Sequence, residues 1–147
     1  MDDIVEITAA ETHDLRRRIL RAGTPSDVVT WDGDDESTTF HLGARSAEGE
    51  LVAISTWLLR RYPDRPAEEA FQLRGMATDP ARRGSGVSAR LLLAGLDRCT
   101  AAGATLVWAR ARVPALSFYE RHGFSPIGPE YTDLTTGLRH RDILRPL

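Results

Sequence analysis

Apolar residues recur along the chain with two spacings, and each spacing is typical of one kind of element. Alternation with period two, or a short run of β-branched and aromatic residues, predicts a strand, whereas apolar positions three and four residues apart predict an amphipathic helix. These patterns predict strands at residues 4–7, 39–45, 51–59, 70–78, 104–109, 124–127 and 138–144. They predict helices at residues 11–22, 84–102 and 115–122. The chain therefore combines many short strands with a few helices.

Glycine and proline residues indicate how some of these segments are shaped. The short glycine-containing loop 46–50 separates two β-rich segments, which predicts an antiparallel hairpin. Gly75 falls inside the segment 70–78, which we expect to be the central strand, and a glycine there indicates a bulge or a close backbone approach. That strand ends at Asp79-Pro80, shortly before the glycine-rich start of the longest helix.

Length and composition fit one globular domain. The 147 residues suit a single domain spanning 1–147, with 41% hydrophobic residues and a formal net charge of -2. No apolar run approaches the ~20 residues that cross a bilayer, and the first residues lack the basic and apolar pattern of a secretory signal. We therefore expect a cytoplasmic protein without a membrane partner.

The residue types exclude or disfavour several classes of chemistry. All 19 basic residues are arginine, so a lysine nucleophile and a Gly-Lys-Ser/Thr phosphate loop are impossible. Cys99 is the only cysteine, and the 4 histidines show no metal-ligand spacing, so we expect no metal site. Nearly balanced charge, with a pI near 6.1, argues against nucleic-acid binding. A small-molecule or peptide partner is favoured, and a homodimer is left open.

Charged residues near the start of the chain are interpreted structurally rather than functionally. The first helix carries a run of arginines: Arg16, Arg17, Arg18 and Arg21. We expect these arginines to lie on a solvated helix face rather than to form an anion site. The acidic stretch 32–37 lacks the features of an EF-hand loop, which leaves a solvated loop or an acidic rim that steers a cationic amine. His41 falls in mid-strand, where a packed or hydrogen-bonded imidazole is expected.

The segment that joins the central strand to the longest helix carries the most specific chemistry. Its Gly84-Ser85-Gly86 start lets backbone N–H groups point outward without obstruction by a Cβ atom, at the positive end of a helix dipole. Arg82 and Arg83 add fixed positive charge beside these amides. The segment is therefore chemically suited to hold a phosphate or a pyrophosphate.

Two other interpretations of this segment remain open. The residues from Gly84 to Ala89 also satisfy the loose Gly-x-Gly-x-x-Gly/Ala pattern of dinucleotide binding, which would imply a nicotinamide cofactor. A Rossmann domain carries its glycines in the first strand–helix turn. Most of the strands predicted here precede Gly84 and favour antiparallel pairing, so a nicotinamide site is disfavoured. The second alternative is a glycine-rich helix start that binds no ligand.

Three motifs, in this order, resemble those of the GNAT superfamily of N-acetyltransferases, in its bacterial branch that modifies small molecules or proteins. Residues 83–88 resemble the signature Arg/Gln-x-x-Gly-x-Gly/Ala, with Ser88 in place of the last Gly or Ala. Residues 73–80 resemble the family's fourth strand, and residues 118–124 resemble its Phe-Tyr-Glu-x-x-Gly-Phe signature. The resemblance covers nearly the whole chain. It implies the GNAT fold, an α/β (α+β) fold with a mixed, mostly antiparallel sheet of about six to seven strands and about four flanking helices.

The resemblance also implies which residues hold acetyl-CoA, the co-substrate of such enzymes. These residues are Met76, Ala77, Thr78, Arg82, Arg83, Gly84, Ser85, Gly86, Val87, Ser88, Arg112 and Phe118. The backbone N–H of Met76 or Ala77 is implied to polarise the thioester carbonyl. Where the family often has an asparagine near the end of the fifth strand, this chain has none and offers Arg110 and Arg112.

Acyl transfer from a thioester to an amine needs a neutral amine, a polarised carbonyl and a stabilised leaving group. The resemblance implies that Tyr119 is the general acid, and Glu69 is the carboxylate considered as the general base. A water chain, or an amine that arrives partly deprotonated, would make a base unnecessary. We therefore expect an N-acetyltransferase that uses direct attack of a primary amine in a ternary complex. The alternative is a catalytically silent acyl-CoA-binding regulatory module of the same fold.

Overall fold

Seven strands form a single sheet in the computed structural model, which describes residues 1–147. The strands are β1 (Asp3–Ile7), β2 (Phe40–Arg45), β3 (Leu51–Leu59), β4 (Ala70–Thr78), β5 (Leu106–Arg112), β6 (Ser125–Thr132) and β7 (Arg139–Pro146). Their order across the sheet is β1-β2-β3-β4-β5-β7-β6, and only the pairing of β4 with β5 is parallel. The mixed, mostly antiparallel sheet that the resemblance implied is therefore confirmed.

Three helical segments accompany the sheet. The first runs from residue 10 to residue 20 and changes its hydrogen-bond pattern twice, as a 3-10 turn at Ala10–Thr12, α1 at His13–Leu15 and a π-helical turn at Arg16–Leu20. The other two are α2 at Val87–Ala101 and α3 at Leu116–Arg121, each preceded by a 3-10 turn, at Pro80–Arg82 and at Val113–Ala115. None of the helices has the length and apolar character needed to cross a membrane.

The main core lies between α2 and one face of the sheet. Leu91, Leu92 and Leu96 of α2 are buried there together with Trp57 of β3. Gly95 brings the helix backbone close to this tryptophan, because a Cβ at that position would lie only 1.9 Å from the indole ring. This close packing fixes the start of α2 beside the end of β4, which positions the glycine-rich turn.

The parallel strands β4 and β5 pair along only part of their length. Their register begins at Ala70 with Leu106 and ends at Leu73 with Ala109, although both strands continue. On the other side of β4, the register with β3 shifts where Gly75 and Met76 face a single β3 residue, which is a β-bulge. Gly75 has a φ of 59°, so the predicted irregularity is confirmed. The two strands therefore open toward their C-terminal ends.

Most predicted elements are present with shifted bounds, and β5 shows why. The apolar pattern placed its end at residue 109, but the strand continues to Arg112. Ala109 and Ala111 face the core with α2, while Arg110 and Arg112 alternate with them on the other face. The end of the strand was missed because the two arginines interrupt its apolar run.

The expectation that Arg16 lies on a solvated helix face is wrong. Its side chain is 0% exposed and donates two hydrogen bonds to the Asp34 carboxylate, at 2.7 and 3.0 Å. Asp34 consequently belongs neither to a solvated loop nor to an acidic rim, although Asp35 and Glu36 beside it are exposed. His41 is packed as predicted, because its ring lies 2.8 Å from the Thr56 hydroxyl and 3.0 Å from the Asp34 carbonyl oxygen.

Candidate active site

A cavity of about 240 Å³ occupies the opening between β4 and β5. Its walls come from the ends of both strands, from the first helical segment with the loop after it, from α3, and from the β6–β7 hairpin. Residues that represent these walls are Gly75, Ala111, Leu20, Trp31, Tyr119 and Thr136. Because β4 and β5 no longer bond each other here, their main-chain groups are available to a ligand.

Tyr119 reaches the cavity from α3. Its side chain is buried, and its ring packs edge-on against Phe118 and Phe124, with centroid distances of 5.3 and 5.4 Å. Burial raises the pKa of the Tyr119 hydroxyl above its ordinary value. The hydroxyl therefore keeps its proton at neutral pH and can donate a hydrogen bond into the cavity.

The end of β4 is joined to the start of α2 by two hydroxyls. The Thr78 and Ser88 Oγ atoms lie 2.7 Å apart, so the one residue that departs from the family motif is already engaged by a neighbouring strand. Met76 lines the cavity, whereas the Ala77 side chain is buried. Met76 can therefore contact a ligand in the cavity, whereas Ala77 can contact it only through its main chain.

The Gly84-Ser85-Gly86 turn leaves several backbone amides without a partner. Gly84 and Gly86 have φ values of 79° and 83°, and no atom lies within 4 Å of the place where a Cβ would project from either. The Ser85 N–H and Oγ both donate to the Arg82 carbonyl. No main-chain carbonyl accepts from the N–H groups of Gly84, Gly86, Ser88 and Ala89. These open donors, at the positive end of α2, are suited to bind an anion.

The other residues predicted to hold the coenzyme differ in what they can contribute. Arg83 is exposed beside the turn, and Arg82 lies 3.7 Å from the Asp2 carboxylate. The Val87 side chain is buried in the core, so only its backbone can reach a ligand. Phe118 is half-buried against Tyr119. Of the two arginines beside the turn, only Arg83 takes part in no ion pair.

Two predicted site residues lie away from the glycine-rich turn. Glu69 precedes the first residue of β4, at the opposite end of the strand from Gly75, and its exposed carboxylate pairs with Arg61. Arg112 does line the cavity, but it projects from the sheet face opposite α2, where it donates to the Leu20 carbonyl. The structure therefore does not bring Glu69 to Tyr119, and it separates Arg112 from the glycine-rich turn.

Trp31 forms a wall of the cavity that no sequence motif indicated. Its backbone N–H donates to the Asp34 carboxylate at 3.0 Å, and the Arg16 guanidinium lies 3.8 Å from the centroid of its ring. The same ring covers Gly75, since a Cβ there would lie 2.5 Å from it. The buried ion pair thus holds the tryptophan against the bulge of β4.

His140 and Tyr131 form the opposite wall and were also missed. Their rings stack with centroids 6.2 Å apart and planes inclined by 20°. The Nδ1 atom of His140 lies 3.1 Å from the Leu138 carbonyl oxygen. They face each other across the β6–β7 hairpin, which follows α3 in the chain, and no sequence motif links them to Tyr119.

Comparison with known proteins identifies the family. A model of the Acetyltransferase (GNAT) family matches residues 6–124, a span that includes the glycine-rich turn and Tyr119. The chain belongs to the GNAT acetyltransferase family. The resemblance inferred from the three motifs is thereby confirmed. Membership of this family implies a general N-acetyltransferase function with an acyl-CoA co-substrate and an amine acceptor.

Individual relatives of this GNAT protein are distant in sequence and close in fold. The uncharacterized N-acetyltransferase YitI of Bacillus subtilis is 26% identical over 131 residues, which cover 89% of this chain and 87% of YitI. The crystal structure of Escherichia coli ElaA has a TM-score of 0.78 at 20% identity and covers 99% of both chains. An acyl-CoA N-acyltransferase from Pseudomonas aeruginosa has a TM-score of 0.78 at 19% identity, covering 97% of this chain and 99% of the other. The solved structures share the fold.

Proposed function

We propose that this GNAT protein transfers the acetyl group of acetyl-CoA to a primary amine by direct attack in a ternary complex. The observation that carries the proposal is the pairing of two features on the α2 side of the sheet. One is the turn of unpartnered amides at Gly84 and Gly86, which suits phosphates. The other is the buried, neutral hydroxyl of Tyr119 in the cavity between β4 and β5. Together they support a ligand that carries both phosphates and a reacting group.

The residues present fit acetyl-CoA. The open space above Gly84 and Gly86 admits a pyrophosphate against their N–H groups, and Arg83 adds an available positive charge. Main-chain groups of Met76 and Ala77, next to the bulge, are candidates to polarise a carbonyl. The bound coenzyme supplies an acetyl thioester as the electrophile. The chain itself must orient the amine, accept its proton and stabilise the departing sulfur.

Tyr119 is suited to stabilise the departing sulfur by a hydrogen bond. A thiol has a pKa of about 8.5 and a phenol a pKa of about 10, so full proton transfer from tyrosine to a thiolate is uphill by about 2 kcal/mol. Burial raises the pKa of Tyr119 further and increases this difference. A donated hydrogen bond, rather than complete proton transfer, is therefore the role that we assign to this hydroxyl.

His140 is the cavity residue best suited to accept the proton of the amine. Carbonyl oxygens only accept hydrogen bonds, so the contact with Leu138 requires a hydrogen on Nδ1 of His140. In the neutral ring Nε2 then carries the lone pair, and the side chain lines the same cavity as Tyr119. We propose His140 as the general base in place of Glu69, whose carboxylate is paired with Arg61 outside the cavity.

The reaction itself tests the proposed function. Purified protein is incubated with acetyl-CoA and a panel of primary amines, and both the free thiol and the N-acetyl product are quantified. Equal amounts of thiol and N-acetyl product support the proposal. Calorimetric binding of coenzyme A without turnover of any amine would instead support the silent acyl-CoA-binding module. Absence of coenzyme binding would overturn both.

Replacing Tyr119 with phenylalanine is expected to lower turnover about 10²-fold, which is the low end for a positioned acid. The ring and its packing against Phe118 and Phe124 are retained, and only the donor is lost. Coenzyme affinity and melting temperature should therefore change little. Steady-state kinetics, calorimetry and thermal unfolding measure the three quantities. Wild-type turnover in the variant would assign Tyr119 a packing role only.

The His140→Gln variant is expected to lose at least tenfold in turnover near neutral pH and to recover as the pH rises. The glutamine amide can replace the bond to the Leu138 carbonyl but cannot take up a proton. At high pH the amine arrives neutral and needs no base, so wild type and variant should converge. Parallel pH–rate profiles of the two proteins would contradict a role for His140 as the base.

A further inference from the structure

Four arginines line the cavity: Arg21, Arg74, Arg110 and Arg112. Side chains alternate along a strand, and the neighbours Leu73, Ala109 and Ala111 are buried in the core with α2. The three strand arginines therefore project from the opposite face of the sheet. Arg21 joins them from the end of the first helical segment. We call these four residues the arginine cluster.

No carboxylate forms an ion pair with a residue of the arginine cluster. Three of its members donate to main-chain carbonyls instead, in the pairs Arg21 to Val28, Arg74 to Asp32 and Arg112 to Leu20. None of the four takes part in any of the ion pairs of the protein. Asp133 is the only acidic side chain in the cavity lining. Among the lining residues, four arginines thus face one carboxylate.

The carboxylate that lies beside Arg110 in the sheet already accepts other hydrogen bonds. Asp142 lies across from Arg110 in the register of β5 and β7. Its two oxygens accept hydrogen bonds from the Tyr62 and Tyr131 hydroxyls, at 2.8 and 2.7 Å. No hydrogen bond or ion pair joins this carboxylate to Arg110, so the guanidinium of Arg110 is available to a ligand.

Burial and mutual repulsion lower the pKa of two arginines of the cluster. Burial is the largest cause that lowers the pKa of Arg74. Repulsion by Arg16 and Arg110 acts in the same direction, and attraction by Asp34 and Asp32 acts against it. Burial likewise lowers the pKa of Arg112, followed by repulsion from Arg21. Partly buried like charges of this kind attract an anion strongly, because the interaction is only weakly screened by water.

We propose that the arginine cluster binds a carboxylate or a phosphate of the acetyl acceptor, so that the substrate is an anionic primary amine. This inference rests on the proposed N-acetyltransferase function, because it identifies the acceptor of that reaction. Guanidinium groups suit both anions through paired N–H donors. The coenzyme's phosphates have their own donors in the glycine-rich turn beside α2, on the other face of the sheet. The anion of the acceptor also holds its amine in the cavity with His140 and Tyr119.

Matched pairs of amines test this proposal by binding. Protein saturated with coenzyme A is titrated calorimetrically with O-phosphoethanolamine and ethanolamine, and with β-alanine and β-alaninamide. The members of each pair share a chain length and differ in the anion. We expect the anionic member of at least one pair to bind at least tenfold more tightly. The pair that carries the preference distinguishes a phosphate from a carboxylate.

The variant Arg110→Gln tests whether the arginine cluster causes the preference for the anionic amine. Arg110 is exposed and lies over the Trp108 ring, 5.5 Å from its centroid, so its loss should not disturb the fold. The variant is expected to lose most of the preference for the anionic amine while its affinity for coenzyme A changes less than twofold. The matched control Arg121→Gln removes an exposed arginine of α3 outside the cavity and should preserve both properties.

The outcomes separate this proposal from the proposed function. Equal affinity within both amine pairs would overturn the anionic acceptor, and so would an Arg110→Gln variant that weakens coenzyme binding and keeps the preference. If wild-type protein binds no coenzyme A, the proposed function fails. The same titrations on the free protein then still decide whether the arginine cluster selects anionic amines.

Discussion

Replacing Gly86 with glutamate is expected to abolish acyl-CoA binding in a protein that remains folded. No atom lies within 4 Å of the place where a Cβ would project from Gly86, so the new side chain has room in the free protein. It then occupies the space above the unpartnered amides with a carboxylate. Two unit charges about 4 Å apart repel by about 4 kcal/mol at an effective dielectric constant near 20, which is about a thousandfold in affinity.

The matched control for this prediction is Gly86→Gln. Gly86 has a φ of 83°, and any other residue there carries roughly 1–2 kcal/mol of backbone strain. Glutamine has the same strain and nearly the same shape as glutamate, so the difference between the variants isolates the charge. Calorimetry with coenzyme A measures affinity, and thermal unfolding confirms that both are folded. If the Gly86→Glu variant bound coenzyme A as tightly as the Gly86→Gln variant, the phosphates would not bind at this turn.

The parts of the fold that could be predicted from the sequence are those with local signals. The glycine-rich turn follows a strand and opens α2, and the bulge at Gly75 appears in the sequence as a glycine within an alternating segment. The hairpin of β2 and β3 has its short loop between two apolar segments. In each case the residues that determine the local geometry are neighbours in the chain.

Several walls of the cavity could not be predicted, because their residues meet through distant pairings. His140 faces Arg112 across β7 and β5. Trp31 comes from an irregular loop with no periodicity. Arg110 and Arg112 end an apolar run, which is why their strand was expected to stop early. The run of arginines likewise gave no sign that Arg16 is buried, because its partner Asp34 is 18 residues away in the chain.

The Arg16–Asp34 ion pair connects the stability of the protein to the shape of the cavity. Arg16 also donates to the Val29 carbonyl and to the Thr56 hydroxyl, each at 2.8 Å, and its Nε is the one buried side-chain polar atom without a partner. The guanidinium therefore depends on Asp34 for its only counter-charge. Since the same carboxylate holds the backbone N–H of Trp31, loss of Asp34 affects the wall over Gly75 as well.

Asp34→Asn is expected to lower the free energy of unfolding at pH 7 by about 3–5 kcal/mol, the usual cost of leaving a buried charge without its partner. Domains of this kind are stabilised by only about 5–15 kcal/mol, so the variant should be close to unfolding at 37 °C. Urea unfolding measures the loss. The double variant Arg16→Met with Asp34→Leu removes both charges and should recover a large part of it. A single variant as stable as wild type would contradict the dependence of Arg16 on Asp34.

The ionisation of the Asp34 carboxylate also makes the stability of the wild type depend on pH. Burial alone would raise the pKa of Asp34, but hydrogen bonds from Arg16 and from the Trp31 amide, with the charge of Arg16, lower it below its ordinary value of 3.8. A pKa lowered by folding stabilises the protein above the unfolded value, and this stabilisation disappears as the pH falls through the folded value. The difference in the free energy of unfolding between wild type and Asp34→Asn should therefore shrink below about pH 4. Unfolding curves of the two proteins that stay equally far apart from pH 7 to pH 3 would show that the ion pair does not supply that stability.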